Sequence, residues 1–190
     1  MLGDAPSTAK LAEFLVIGGG CCCVILNTVR QAQAVFEALN MPDQERMLFH
    51  ARFSAQDRER IANTVSRLFG RDRTARPRRF VLIATQVVEQ SLDVDFDVMI
   101  SEIAPVDLLL QRSGRMHRHR ARDADPVLHV LTPVRGSFDF GATRFIYHDK
   151  PLLRTLGLLR GRDRVTLPAD FRMLIESCYG SVEWEQEAVP

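Results

Sequence analysis

Residues 80–84, FVLIA, form one short apolar run and residues 98–100, VMI, form another, with the polar residues 85–97 between them. Apolar runs of this length, bounded by polar loops, read as buried strands. Pro105 ends the segment after the second run, and Asp107 is placed to N-cap the amphipathic stretch that follows. Strand, loop, strand, loop, helix is the order by which an α/β domain carries reactive side chains to the carboxyl edge of its sheet. The loops here hold uncharged donors, carboxylates and arginines together.

The rest of the chain repeats the alternation. Residues 22–26, 47–49 and 127–132 read as further strands. Residues 30–39 read as a helix, with Ala32, Val35, Phe36 and Leu39 at helical spacing. Ser54 is placed to cap a second helix reaching Phe69, with Ile61, Val65 and Leu68 on one face. A short helix or turn is expected at 11–17, a helix at 152–159, and another from Pro168. Residues 136–141 read as loop, and the Pro-interrupted basic stretch 71–79 as a mobile one. Alternation of this kind implies an α/β domain with a mainly parallel β-sheet and helices on both faces. A chain of 190 residues suits one domain. The expected division is a frayed linker at 1–10, the α/β domain at 11–135, and a helical extension at 136–190 leading towards a missing C-terminal region.

A net charge of +1 makes the whole chain no polycation seeking nucleic acid. Charge is uneven all the same, because Arg52, Arg58, Arg60, Arg67, Arg71, Arg73, Arg76 and Arg78 crowd one stretch while the tail after Glu176 is acidic. No apolar stretch is long enough to span a bilayer, and the first ten residues carry no signal pattern, so a cytoplasmic protein without membrane partners is expected. Cys21, Cys22 and Cys23 are contiguous. Neighbouring strand residues point to opposite faces, so these three cannot converge on one tetrahedral metal. They are expected as small apolar core residues of a reduced protein, and no metal site is expected.

Residues 111–118, QRSGRMHR, carry the densest chemistry. Arg115 and Arg118 stand three apart, so on a helix both would project from one face. A planar, permanently charged guanidinium matches phosphate oxygens, and two beside a glycine suit a polyphosphate whose charge is changing. An exposed basic helix turn is the plainer reading of such a run taken alone.

Residues 85–97, TQVVEQSLDVDFD, resemble motif V of superfamily-two helicases, and residues 111–118, QRSGRMHR, resemble motif VI, within the run LLLQRSGRMHRHR. The wording is similar to one branch, the CRISPR-associated helicase–nuclease of type I interference systems. Residues 25–29, ILNTV, resemble its motif IV. Residues 48–53, LFHARF, with Asp57 and Arg58, resemble its next block, and residues 167–172 and 175–179 its tail. The resemblance runs in order from about residue 11 to 180. No G-x-x-x-x-G-K-[ST] loop occurs, since Gly18, Gly19 and Gly20 lack the lysine, and no DEAD-like tetrad or nuclease cluster occurs.

The resemblance therefore implies a RecA-like fold and the second of two such domains in a helicase. It implies that ATP and Mg2+ are bound mainly by the missing first domain, while Arg115 and Arg118 act as arginine fingers. Gln111 and Arg112 would position the nucleotide or the interdomain contact. Asp93 would accept from the ribose hydroxyl, or merely cap its loop. Gln90 stands where many relatives carry arginine, and Glu89 would sense domain closure or form a surface salt bridge. On the opposite rim Asn27, Thr28, His50, Arg52 and Thr85 would hold single-stranded DNA, the threonines through a hydroxyl and a free backbone N–H. Phe53 would stack on a base or pack under its helix. The implied partners are single-stranded DNA, the first RecA-like and nuclease domains, and a guide-RNA surveillance complex. Two other readings stay open: a general superfamily-two helicase half in repair or RNA remodelling, and a non-catalytic nucleic-acid-binding module using the arginine-rich face.

Overall fold

The apolar run GCCCVI becomes β1 (Gly20–Ile25), the central strand of a five-stranded sheet. Its neighbours are β3 (Arg79–Ala84) and β4 (Val98–Glu102), with β2 (Arg46–Phe49) and β5 (Leu128–Leu131) outermost, giving the order β2-β3-β1-β4-β5. Every pairing is parallel. The three central strands are apolar almost throughout, not alternating, which is what coverage on both faces demands. The computed structural model describes residues 3–89, 92–120, 122–123, 125–134, 136–162 and 164–180.

Parallel strands need crossovers. Three are helical: α2 (Val29–Ala38), α3 (Ala55–Phe69) and α4 (Val106–Ser113). The β3–β4 connection differs, because β1 lies between the strands it joins. The connection must pass β1, and among its described residues Val88, Val94 and Phe96 are buried in the layer that α3 covers. There Phe69 packs against Phe80 and Phe96, with ring centroids 5.4 and 4.9 Å apart. The opposite layer holds α2 and α1 (Ala5–Leu15) over Cys22, Val24 and Ile83. Cys21 and Cys23 belong to the first layer and Cys22 to the second, as strand alternation requires, and all three are buried free thiols. Burial raises the pKa of the Cys21 thiol to about 11.

The frayed linker expected at 1–10 is corrected by α1, which begins at Ala5. The Asp4 carboxylate accepts from the Ser7 amide at 2.8 Å, and Thr8, Ala9 and Ala12 are buried. The small residues that suggested a loose end are what lets this helix lie close against its neighbours. Ser54 caps α3 as expected, its hydroxyl accepting from the Asp57 amide at 3.1 Å. Asp107 is not the cap of α4: Pro105 precedes the first turn, and Asp107 sits within it, where its charge complements the helix dipole.

Loop 71–79 is pinned at its centre, contrary to the expected mobility. Arg76 donates to the Asp95 carbonyl at 2.6 Å and to the Asp97 carboxylate at 2.7 Å. After β5, α5 (Asp149–Arg160) and α6 (Phe171–Tyr179) pack on the β4–α4 end of the domain, α5 through Leu152 and Leu156 against Ile103, and α6 through Leu174 and Cys178 against Val106. The last helix starts three residues after the expected Pro168. Among the described residues no helix is long and apolar enough to cross a membrane.

Candidate functional site

All strands of a parallel sheet end on one edge. Leaving β1, β2 and β3, the chain sets Asn27 and Thr28, His50, and Thr85 along that edge, so the residues expected at a DNA rim do come together. Their individual roles differ from expectation. Thr85 has no free amide, because its N–H donates to the Phe49 carbonyl at 3.1 Å, and its buried hydroxyl has no partner among the described residues. The Thr28 hydroxyl caps α2, accepting from the Gln31 amide at 3.2 Å and donating to Gln31 Oε1 at 2.8 Å. His50 is buried and stacks on Phe53 with ring centroids 4.2 Å apart, so Phe53 already has a ring partner within the chain. Burial lowers the His50 pKa, because desolvation disfavours the charged ring. Arg52 is exposed beside it.

Asn27 is anchored inward. Its amide donates to Glu102 Oε2 at 2.8 Å, and its side-chain nitrogen reaches the Ile103 carbonyl and Thr143 Oγ1 at 2.8 and 3.1 Å. Glu102 is a member of this edge that sequence reasoning missed. Only 1% exposed, it also accepts from Thr143 Oγ1 at 2.6 Å and from Gln31 at 3.3 Å. A buried carboxylate is tolerable with such donors around it. They come from residues 27, 31 and 143, so no local spacing announced it.

The arginines of residues 111–118 lie against the β3–β4 crossover. They do not share a helix face, because α4 stops at Ser113. Beyond Gly114 the chain forms a parallel bridge between Met116 and Phe96 and turns at His117, whose φ is 51°. That bridge displaces the helix, and it still brings both arginines to the same loop. Arg115 donates to the Glu89 carbonyl at 2.9 Å and to the Leu92 carbonyl. Burial, together with nearby Arg118, lowers the Arg115 pKa from the ordinary arginine value. Arg118 pairs with Asp93, Nε to Oδ1 at 2.8 Å, both side chains being about half exposed. Asp93 thus faces a guanidinium here, beside the His119 ring at 3.4 Å.

Arg112, expected to position the nucleotide or the interdomain contact, lies beneath the surface. It is fully buried, and donates through Nε to Glu89 Oε1 at 2.8 Å, through Nη1 to Ser101 Oγ and the Glu102 carbonyl at 2.7 and 3.1 Å, and through Nη2 to the Tyr147 hydroxyl at 3.3 Å. Glu89 is accordingly the counter-charge of a buried arginine, not half of a surface salt bridge. Gln111 is exposed on α4, and Gln90 lies outside the described residues.

A second ionic cluster fixes the far end of the arginine segment. Asp95 is 1% exposed and accepts from the Arg118 amide at 2.9 Å and from Arg122 at 2.9 and 3.1 Å. Arg122 also pairs with Asp97 at 2.8 Å, and Asp97 accepts from the Cys21 amide at 2.7 Å. Burial alone would raise both carboxyl pKa values, but the surrounding arginines and amide donors outweigh it and hold them below the ordinary range.

Residues 18–121 match the family model "CRISPR-associated nuclease/helicase Cas3, C-terminal". The CRISPR-associated endonuclease/helicase Cas3 of Thermus thermophilus is 45% identical over 137 residues, covering 70% of this chain and 15% of that protein. The solved structure of T. fusca Cas3-ATP superposes with a TM-score of 0.84 at 38% identity, over 95% of this chain and 22% of that one. A chain of the CRISPR RNA-guided surveillance complex, pre-nicking, superposes with a TM-score of 0.75 at 35% identity, over 94% of this chain and 24% of that one. The chain therefore spans less than a quarter of the length of these relatives. The fold is RecA-like α/β, as the motif order implied. With more than half of its length matched, the chain belongs to the Cas3 nuclease/helicase family and corresponds to its C-terminal helicase domain.

Proposed function

We propose that this chain is the second RecA-like half of an ATP-driven DNA helicase that unwinds and degrades foreign DNA in type I CRISPR interference. The observation that carries this reading is the convergence of Arg115 and Arg118 on Glu89, Leu92 and Asp93, with Arg118 and Asp93 about half exposed. Two guanidinium groups on one surface loop suit a transferring phosphoryl group, whose charge spreads over oxygens they can bind. The first RecA-like domain, in the parent chain or a separate subunit, holds ATP and Mg2+, and this chain supplies Arg115 and Arg118 as fingers. Gln111 borders the nucleotide cleft, and Asp93 passes from Arg118 to the ribose hydroxyl when ATP arrives. Arg112 and Glu89 act from beneath by fixing the loop.

At the strand-end edge, exposed Arg52 and half-buried Thr28 meet the backbone of single-stranded DNA, while Asn27, His50 and Thr85 shape the loops below them. Contacts of this kind read no sequence, so targeting falls to a guide-RNA surveillance complex, in the cytoplasm. The test is ATP turnover by the isolated chain, with and without single-stranded DNA, beside the complete enzyme containing it. Turnover is expected only from the complete enzyme. Robust turnover by the isolated chain, abolished in Arg115→Ala, would overturn the reading.

A further inference from the structure

One hydrogen-bonded path joins the strand-end edge to the arginine loop. Gln86, the residue after Thr85, donates through Nε2 to the Asn27 carbonyl at 3.1 Å and to the Tyr147 hydroxyl at 3.3 Å. Arg112 Nη2 donates to the same hydroxyl at 3.3 Å, and Arg112 Nε reaches Glu89 Oε1 at 2.8 Å. The Glu89 carbonyl in turn accepts from Arg115 at 2.9 Å. Tyr147 is the only residue of this path that lies outside the motif segments. It follows the 3₁₀ turn Gly141–Phe145, and its ring packs beside Ile103, Phe140 and Leu152.

The geometry points to Tyr147 as a positioning residue that couples the strand-end edge to Arg115, an inference that rests on the finger reading above. Its oxygen accepts from both sides, so the position of Gln86 bears directly on what Arg112 meets. The Arg112 guanidinium is planar and fully buried, and a tilt imposed at Nη2 is carried to Nε within the same rigid plane. Glu89 follows Nε, and the carbonyl that holds Arg115 belongs to Glu89. A strand bound at the edge that moves the Asn27 or Thr85 loop thereby changes the set of Arg115. Tyr147 touches neither ligand in this scheme and acts only through its neighbours.

Contiguity alone does not establish coupling, and non-additive variants do. In the complete enzyme, Tyr147→Phe keeps the packed ring and removes the shared oxygen. The ratio of DNA-stimulated to DNA-free kcat is expected to fall about tenfold, the scale of one hydrogen bond to a charged group, with KM for ATP changed less than about twofold. Gln86→Leu should give the same loss, and the double variant no more than either single one. An unchanged ratio in either single variant, or losses that multiply in the double variant, would overturn the coupling. So would a loss in which kcat and thermal midpoint fall while KM rises, since that is the mark of a structural role. Arg115→Ala is assayed alongside. If it loses hydrolysis while Tyr147→Phe keeps full stimulation, the relay fails and the finger reading stands. If it hydrolyses normally, the finger reading fails and takes the relay with it.

Discussion

Arg112 and Glu89 form an ion pair 2.8 Å long in which the arginine side chain has no exposure and the glutamate only 11%. Removing one member of such a pair leaves the other charge desolvated. Glu89→Ala is expected to lower unfolding stability by about 3–5 kcal/mol, because Arg112 cannot turn to water. Arg112→Met should cost less, since Glu89 lies closer to the surface. Urea unfolding of both variants checks this, and equal losses would refute the account by buried charge.

The proposed function separates the arginines by role. In the complete enzyme Arg115→Ala or Arg118→Ala should reduce DNA-stimulated ATP hydrolysis by at least about a hundredfold, since on the proposed finger reading each would meet charge that grows in the transition state. DNA affinity should barely move. Arg52→Ala should weaken DNA binding and leave DNA-free hydrolysis in place. Lysine at 115 should rescue poorly, being a point charge without the fork. Paired titrations of ATPase rate and DNA affinity on each variant decide the matter, and equal loss of both activities in Arg115→Ala and Arg52→Ala would sink the division.

Binding of single strands by the isolated chain should be weak and salt-dependent. Contact with about three phosphates gives a log–log slope near −2, at roughly −0.7 per phosphate. Fluorescence anisotropy across salt concentrations measures it. A flat response, or strong preference for one sequence, would contradict backbone contact through Thr28 and Arg52.

Acid should loosen the Asp95–Asp97 cluster. Both carboxyl pKa values are lowered in the folded chain, so the stability they contribute is fully present above the unfolded carboxylate value near 3.9 and is lost as pH falls through the folded values. Thermal midpoints should be flat with respect to this cluster around neutrality and drop below about pH 4. Asp95→Asn should be less stable than the native chain at pH 7, yet lose less between pH 5 and 3. Parallel curves for the two proteins would disprove the linkage.

The strands were readable because buried parallel strands are apolar runs, and 80–84 and 98–100 could hardly be anything else. α3 was readable from Ser54 through Phe69 because its cap and stripe are local. What stayed hidden depends on distant partners. Asp95 and Asp97 looked like any acidic loop until Arg76 and Arg122 arrived from either side of them in sequence. Arg112 resembled its exposed neighbours, and only the joint presence of Glu89, Ser101 and Tyr147 makes its burial tolerable. The end of α4 was misjudged for the same reason, because the Phe96–Met116 bridge that draws the chain out of the helix forms across 20 residues of sequence.

The segment that bears Arg115 and Arg118 is tacked down at both ends, by the buried guanidinium of Arg112 on one side and by the Arg118 amide on Asp95 on the other. A strap fastened in this way leaves small adjustments of the two side chains open but holds the backbone between its anchors. On the proposed finger reading, large displacements towards a phosphate would then be carried by the domain as a body and not by a swing of this backbone.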